Sequence, residues 1–302
     1  MDVKQQTLRT RMGQAYTRTG SGPALILLHG WPFHRASFRR LIPLLASRYT
    51  CYAIDSAGMG ESGLAEDNDY SFAGHARRVM DFVDELGLSA FALLGHDTGG
   101  TIARLVAAGR PDQVGQLILM DTEVPGHIPP VVPRFQRLMR FGVMRQMFRW
   151  LLHSKAFGRS RYGFGECFHD PDNMTDEFLA LFSFHWIESP QRLEGLIAYL
   201  MGIDHKEIDD LNQTHSKIQA PTLIIWGRHD SIFPLALAKN LVGNMPSCSH
   251  FEVVDDAGFL VHEEKPDQVA KAVLDFPGAH VSELPTNAHQ KPPHPGATAS
   301  LR

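Results

Sequence analysis

The chain has 302 residues, of which 43% are hydrophobic and 21% charged, and a net charge of −4. That is enough for one large core with an inserted segment, or for two small domains, and the mild acidity gives no global attraction to nucleic acid or anionic membranes. The opening Met1-Asp-Val-Lys-Gln-Gln-Thr7 has no apolar stretch, and no apolar run approaches the roughly 18 residues that would signal a membrane span. A cytoplasmic protein is therefore expected. Cys51, Cys167 and Cys248 are odd in number and scattered, which reads as buried thiols, neither a disulfide frame nor a metal site.

In chain order, Ala24 to Gly30 is a continuous apolar run of the kind found in a strand buried on both faces of a parallel sheet. It ends in His29-Gly-Trp-Pro32, where His29 reads as a brace of the turn. Ser37 to Ser47 carries helical spacing, Tyr49 to Asp55 reads as a strand, and 56–63 is a glycine-rich turn without the Lys-Ser/Thr ending of a phosphate loop. Phe72 to Leu86 repeats apolar Val79, Phe82, Val83 and Leu86 at helical spacing.

The next stretch, Phe91-Ala-Leu-Leu-Gly-His-Asp-Thr-Gly-Gly100, is an apolar run that stops at a glycine-flanked turn and restarts as a helix. Gly-x-nucleophile-x-Gly between a strand and a helix is the pattern of a nucleophile elbow, and the residue lifted here is Asp97. A carboxylate can displace a leaving group at a saturated carbon and leave an alkyl ester on the protein. Hydrolysis of that ester then needs a base-activated water and amide donors for the oxyanion. The amides of Trp31 and Thr98 are the candidates for that hole.

Val114 to Asp121 reads as a further strand, and alternating strands and helices imply a parallel sheet with its site at the carboxyl ends of the strands. From 124 to 205 the segments are helical, which predicts an inserted cap between core segments 1–123 and 206–282. Within it, Arg134 to Leu152 sets Phe135, Leu138, Met139, Val143, Met147, Phe148 and Leu151 on one stripe beside five arginines. The spacing is read as a solvated basic face over a packed stripe; a lid over an apolar pocket and a membrane-surface helix are the functional alternatives. The alternation resumes with strands at 220–227 and 249–255 and helices from Leu235 and Lys265. Residues 283–302, rich in Pro, His and Ala, read as a disordered tail.

Taken together, His29-Gly-Trp-Pro32, Gly95-His-Asp-Thr-Gly-Gly100, Trp226-Gly-Arg-His-Asp230 and Asp256-Ala-Gly-Phe-Leu-Val-His-Glu-Glu-Lys-Pro266 resemble the α/β-hydrolase superfamily. More narrowly, they are similar to its aspartate-nucleophile branch, the epoxide hydrolases and haloalkane dehalogenases. The resemblance implies an α/β-hydrolase fold, Asp97 as nucleophile, and Asp230 or, alternatively, Asp121 as the acid. It implies no cofactor and no metal. Its departure is at the base: the position after Gly258, usually His, is Phe259, which leaves His262 as the candidate base from a shifted loop. His96 is expected to be structural. Tyr162 and Tyr199 match the tyrosine pair with which epoxide hydrolases donate to the epoxide oxygen. The tryptophan that dehalogenases place after the nucleophile is replaced by Thr98, so Trp31 or Trp186 would have to hold a halide. Thr98 and Thr101 stand where fluoroacetate-type dehalogenases carry arginines, which disfavours a small anionic haloacid. The expected ligand is a small apolar or amphipathic molecule bound in part by Phe259, with an epoxide-opening hydrolase as the first expectation. A haloalkane dehalogenase and a non-hydrolytic binding protein are the alternatives.

Overall fold

The computed structural model describes residues 6–277; the segment expected to be a disordered tail lies outside them. Eight strands form one sheet: β1 (Leu8–Arg9), β2 (Ala15–Thr19), β3 (Ala24–Leu28), β4 (Thr50–Ile54), β5 (Phe91–His96), β6 (Val114–Met120), β7 (Thr222–Gly227) and β8 (Cys248–Val254). Their order is β1-β2-β4-β3-β5-β6-β7-β8. β1 pairs antiparallel with β2 and β2 with β4, and every later pairing is parallel. This is the α/β-hydrolase fold.

β3 shows why the central strands read as unbroken apolar runs. Its alternate residues go to opposite faces: Ile26 and Leu28 join one core layer, Leu25 and Leu27 the other. Both layers are covered by helices, so no position on the strand can be polar without losing burial energy. Edge strand β8 is only partly buried and carries His250 and Glu252 outward.

The helices that matter below are α1 (Phe72–Leu86), α2 (Thr98–Gly109), α3 (Val131–Leu138), α4 (Gly142–Leu151), α5 (Pro190–Gly202), α6 (Leu235–Gly243) and α7 (Pro266–Asp275). α1 matches the expected bounds because its ends are marked chemically. Ser71 accepts the Gly74 amide at 3.0 Å, and Gly87 closes the helix at φ 64°. Between β6 and β7 the described residues form only helices and turns.

Two helical expectations need correction. The 37–47 segment is a short 3₁₀ turn (Arg35–Phe38) followed by one α turn (Ile42–Leu45), because Pro43 has no N–H to continue a helix from its predecessors. The 134–152 stripe is two helices, α3 and α4, separated by Met139-Arg-Phe141, with Phe141 extended (φ −99°, ψ 125°) before Gly142. The split changes the faces: Met139 and Phe148 are buried, whereas Leu138, Val143 and Met147 are exposed. The packed-stripe expectation therefore holds for only part of the set.

α2 is fitted to the sheet by close backbone approach. A Cβ on Gly99 would lie 2.1 Å from the Leu28 carbonyl oxygen, and one on Gly95 would lie 2.4 Å from that of Gly99. Gly99→Ala is expected to cost at least about 3 kcal/mol, since the obstruction is backbone that cannot turn aside. Gly109→Ala at the far end of the same helix, whose Cβ would meet only the Met80 sulfur at 3.4 Å, should be neutral or gain up to about 1 kcal/mol. Urea unfolding of the two variants measures the contrast.

Candidate active site

Asp97 sits at the hinge between β5 and α2 with φ 53° and ψ −131°, a strained conformation for a residue with a Cβ. It is held from both sides. Its N–H reaches the Met120 and Asp121 carbonyls at 3.2 and 3.1 Å, its carbonyl accepts the Gly100 amide at 2.7 Å, and the Thr122 hydroxyl donates to the same carbonyl at 2.8 Å. Gly30 faces it, where any Cβ would come within 2.4 Å of the Asp97 side chain. Below the turn, buried Arg104 donates to Gly100 O, Thr101 Oγ1, Thr122 Oγ1 and Glu123 O, so a guanidinium ties α2 to the end of β6.

The Asp97 carboxyl opens into a cavity of about 160 Å³ that is mostly apolar. A cavity of about 150 Å³ lined by Leu, Ile and Phe accommodates benzene, which sets the scale of a fitting ligand. The Trp31 amide donates to Asp97 Oδ2 at 2.9 Å and to Thr98 Oγ1 at 3.0 Å. The Thr98 amide also lowers the Asp97 pKa by hydrogen bonding. The amides of Trp31 and Thr98 therefore converge on one carboxyl.

The tyrosines and tryptophans divide. The buried Tyr199 hydroxyl donates to Thr98 Oγ1 at 3.0 Å, and its ring stacks on His75 at 4.4 Å. Tyr162 lies on the cavity rim with 76% exposure. Trp31 and Trp186 both line the cavity, but each indole N–H is committed, to Leu196 O and Phe182 O respectively, both at 2.9 Å. Neither is free to hold a halide.

The final loop places Phe259 in the cavity wall. His96 donates its Nε2 proton to the Phe259 carbonyl at 2.9 Å and packs on the ring at 4.6 Å. His262 is elsewhere: fully buried, not in the cavity wall, with Phe38 at 5.3 Å and His96 at 4.5 Å between ring centroids. Neither of its ring nitrogens has a hydrogen-bond partner among the described residues, and burial drives its pKa well below the ordinary value. The structure thus does not bring His262 to Asp97. His29 does brace its turn, donating from Nδ1 to Gly30 O at 2.9 Å and accepting the Ser56 amide at Nε2 at 3.0 Å.

The two acid candidates stand together. Asp121 Oδ1 accepts the Gly227 amide at 2.8 Å, and Asp230 Oδ1 accepts those of Ile232 and Phe233 at 2.7 and 2.9 Å. The Oδ2 of each is buried without a hydrogen-bond partner among the described residues, and the two neighbouring carboxyls titrate as a pair. Burial first, and for Asp121 also the Asp230 charge, raise both carboxyls, Asp230 to about 7 and Asp121 well above its ordinary value.

Glu123 was not singled out in the sequence. It lines the cavity, accepts the Thr101 hydroxyl at 2.7 Å, and is raised by burial. Burial and then the Glu123 charge also raise the Asp97 carboxyl well above the usual carboxylate range. The available signal was an acid three residues beyond the end of an apolar strand. Outside the cavity, exposed His169, His229 and Asp256 bring one ligand atom each within 4.8 Å of one another and could hold a divalent ion. Cys51 and Cys167 are buried free thiols, and Cys248 is half-buried.

Carboxyls with raised pKa bind a proton more tightly folded than unfolded, so their stabilising effect is complete below the unfolded value of about 4 and fades as pH rises through the folded value. With Asp230 near 7, this contribution should fall between about pH 5 and about pH 8, against the rise that buried neutral histidines such as His96 and His262 give, so it is read as the difference between parent and variant. Asp121→Asn keeps a donor for Asp230 and should flatten that fall, as read by thermal melts across the range.

The family described as alpha/beta hydrolase fold matches residues 23–161. A monoacylglycerol lipase of Xenopus laevis is 26% identical over 274 residues, 86% of this chain and 76% of that protein. The pimeloyl-acyl-carrier-protein methyl ester esterase of Aeromonas hydrophila is 28% identical over 275 residues, covering 88% of this chain and all of the esterase. An epoxide hydrolase solved without ligand superposes with a TM-score of 0.75 at 22% identity, over 90% of this chain and 98% of its own. Sheet order and these likenesses together give the chain the α/β-hydrolase fold.

Proposed function

We propose that the protein is an α/β-fold hydrolase in which Asp97 opens an epoxide on a small apolar molecule and forms an alkyl ester, with slow release. The observation that carries this is a carboxyl at the elbow, facing an apolar cavity, with Oδ2 on the Trp31 amide. One oxygen is thereby oriented to bond to carbon while the other stays in the amide pair, where the oxyanion of the later hydrolysis would form. The helices between β6 and β7 act as the cap.

The acid function falls to Thr98 backed by Tyr199. Thr98 Oγ1 accepts from both the Tyr199 hydroxyl and the Trp31 amide, which leaves its own proton for an oxygen in the cavity. As the ring opens, the developing alkoxide takes the Thr98 proton while Thr98 takes that of Tyr199. Burial raises the Tyr199 pKa, but an alkoxide is the stronger base. Tyr162 is a second donor at the rim. An oxygen leaving group suits this wall better than a halide, because both cavity indoles are already bonded.

The second half-reaction is the weak one. By the family resemblance Phe259 stands in place of the base, and His262 has no hydrogen bond through which to act. General-base catalysis supplies roughly two to four decades of rate, which the ester hydrolysis here forgoes. Asp121 and Asp230 remain as the pair that would orient an imidazole, were one present.

Incubation with styrene oxide should add one equivalent of mass to the protein, located at Asp97 and absent in Asp97→Asn. Phe259→His should speed loss of that adduct by about a hundredfold or more. Absence of any adduct from a broad panel of epoxides would contradict the proposal, and adducts on haloalkanes alone would move it to dehalogenation. Because the Asp97 pKa is raised, less of it is ionised at neutral pH than of an ordinary carboxylate, and only the ionised form attacks. The alkylation rate should therefore rise with pH over a range above that of an ordinary carboxylate, and Glu123→Gln should shift that rise to lower pH by removing the neighbouring charge.

A further inference from the structure

We propose that α3, α4 and the segment after them form a docking surface for an anionic lipid bilayer, with the mouth of the Asp97 cavity turned towards it. Residues 131–162 contain eight Lys and Arg and no Asp or Glu, in a chain whose net charge is −4. The same segment holds Val131, Leu138, Phe141, Val143, Met147, Trp150 and Tyr162. These are all but two of the exposed large hydrophobic residues among those described, the others being Met12 and Leu64. Val143, Trp150 and Tyr162 are each at least 70% exposed, a density of bare apolar surface that isolated surface residues do not explain.

Apolar side chains interleaved with arginines form the chemistry of a helix lying at a headgroup boundary, where the apolar groups enter the acyl region and the guanidiniums meet phosphates. The charges are available: Arg134, Arg137 and Arg140 make no ion pair among the described residues, although Arg159 and Lys155 share Asp176 and Arg161 approaches Glu166 at 3.7 Å. A second copy of the chain fits less well, because a two-fold contact would set this basic face against itself with no acid in the segment to neutralise it.

The surface is continuous with the cavity. Val131 and Tyr162 are exposed and also line it, and the inner side of α3 contributes Val132 and Phe135 to its wall. The Phe135 ring meets Trp31 at 6.2 Å and Phe148 at 4.9 Å, so the helices that present the arginines also roof the elbow. Docking would put the entrance where apolar molecules concentrate. Membrane docking itself does not depend on the chemistry at Asp97.

The test is co-sedimentation of the full chain with vesicles of phosphatidylcholine alone and of phosphatidylcholine with phosphatidylglycerol, at low and physiological salt. Binding is expected only to the anionic vesicles and to weaken as salt screens the charges. Each basic residue near such a surface strengthens binding roughly fivefold, so Arg134→Gln/Arg137→Gln/Arg140→Gln should lose about a hundredfold. Phe141→Ser/Trp150→Ser should also weaken binding while its circular dichroism stays native, and Asp97→Asn should bind as the parent does. Absence of binding to anionic vesicles at low salt, or binding unchanged in both surface variants, would overturn the proposal. So would sedimentation velocity showing a stable dimer that Phe141→Ser/Trp150→Ser converts to monomer, since the face would then be taken by a second copy.

Discussion

The structure depends on the backbone of one residue being held where an L-amino acid is uncomfortable. Asp97 at φ 53° costs on the order of 1–3 kcal/mol, and the surroundings oppose its relaxation through the β6 carbonyls, the Thr122 hydroxyl and the glycines at 30, 95 and 99. The buried Arg104 network fixes Thr122 and Glu123, and so stiffens the far side of the same turn. The result is a carboxyl that cannot swing away from its cavity. Its position under the Trp31 amide and beside Glu123 follows from that constraint.

Electrostatics around the elbow work in two directions. Amide donors favour the ionised carboxyl, while burial and the Glu123 charge favour the neutral one, and the net effect is a raised pKa. Under the proposed function such an acid attacks carbon only once its proton has left. The Asp121–Asp230 pair repeats the theme, since burial raises both carboxyls there as well. In a site with an imidazole that pair would have a charged partner; beside Phe259 it has none.

What could be read in the sequence was what periodicity and glycine chemistry encode locally. β3 announced itself because burial on both faces excludes polar residues, and α1 because Ser71 and Gly87 mark its ends. The elbow was legible because only a strand-to-helix turn needs small residues on both sides of Asp97. The helical stripe from Arg134 to Leu152 misled because a 3.6-residue repeat cannot distinguish apolar residues bound for the core from those left on the surface. The chain also breaks at Met139-Arg-Phe141. Contacts between distant segments left no trace in spacing: Tyr199 on Thr98, Asp121 on Asp230, and the enclosure of His262 by Phe38 and His96 are products of tertiary packing. The indole donors of Trp31 and Trp186 looked available in sequence and are satisfied by carbonyls in the fold.

The central claim is that Asp97 bonds covalently to carbon and is later freed by attack of water on its own carboxyl carbon. The direct measurement is to alkylate the protein with an epoxide, let the adduct decay in heavy-oxygen water, and map the peptide that contains Asp97. Heavy oxygen incorporated into Asp97 is the predicted result. A product that carries the solvent oxygen while the Asp97 peptide remains unlabelled would contradict it.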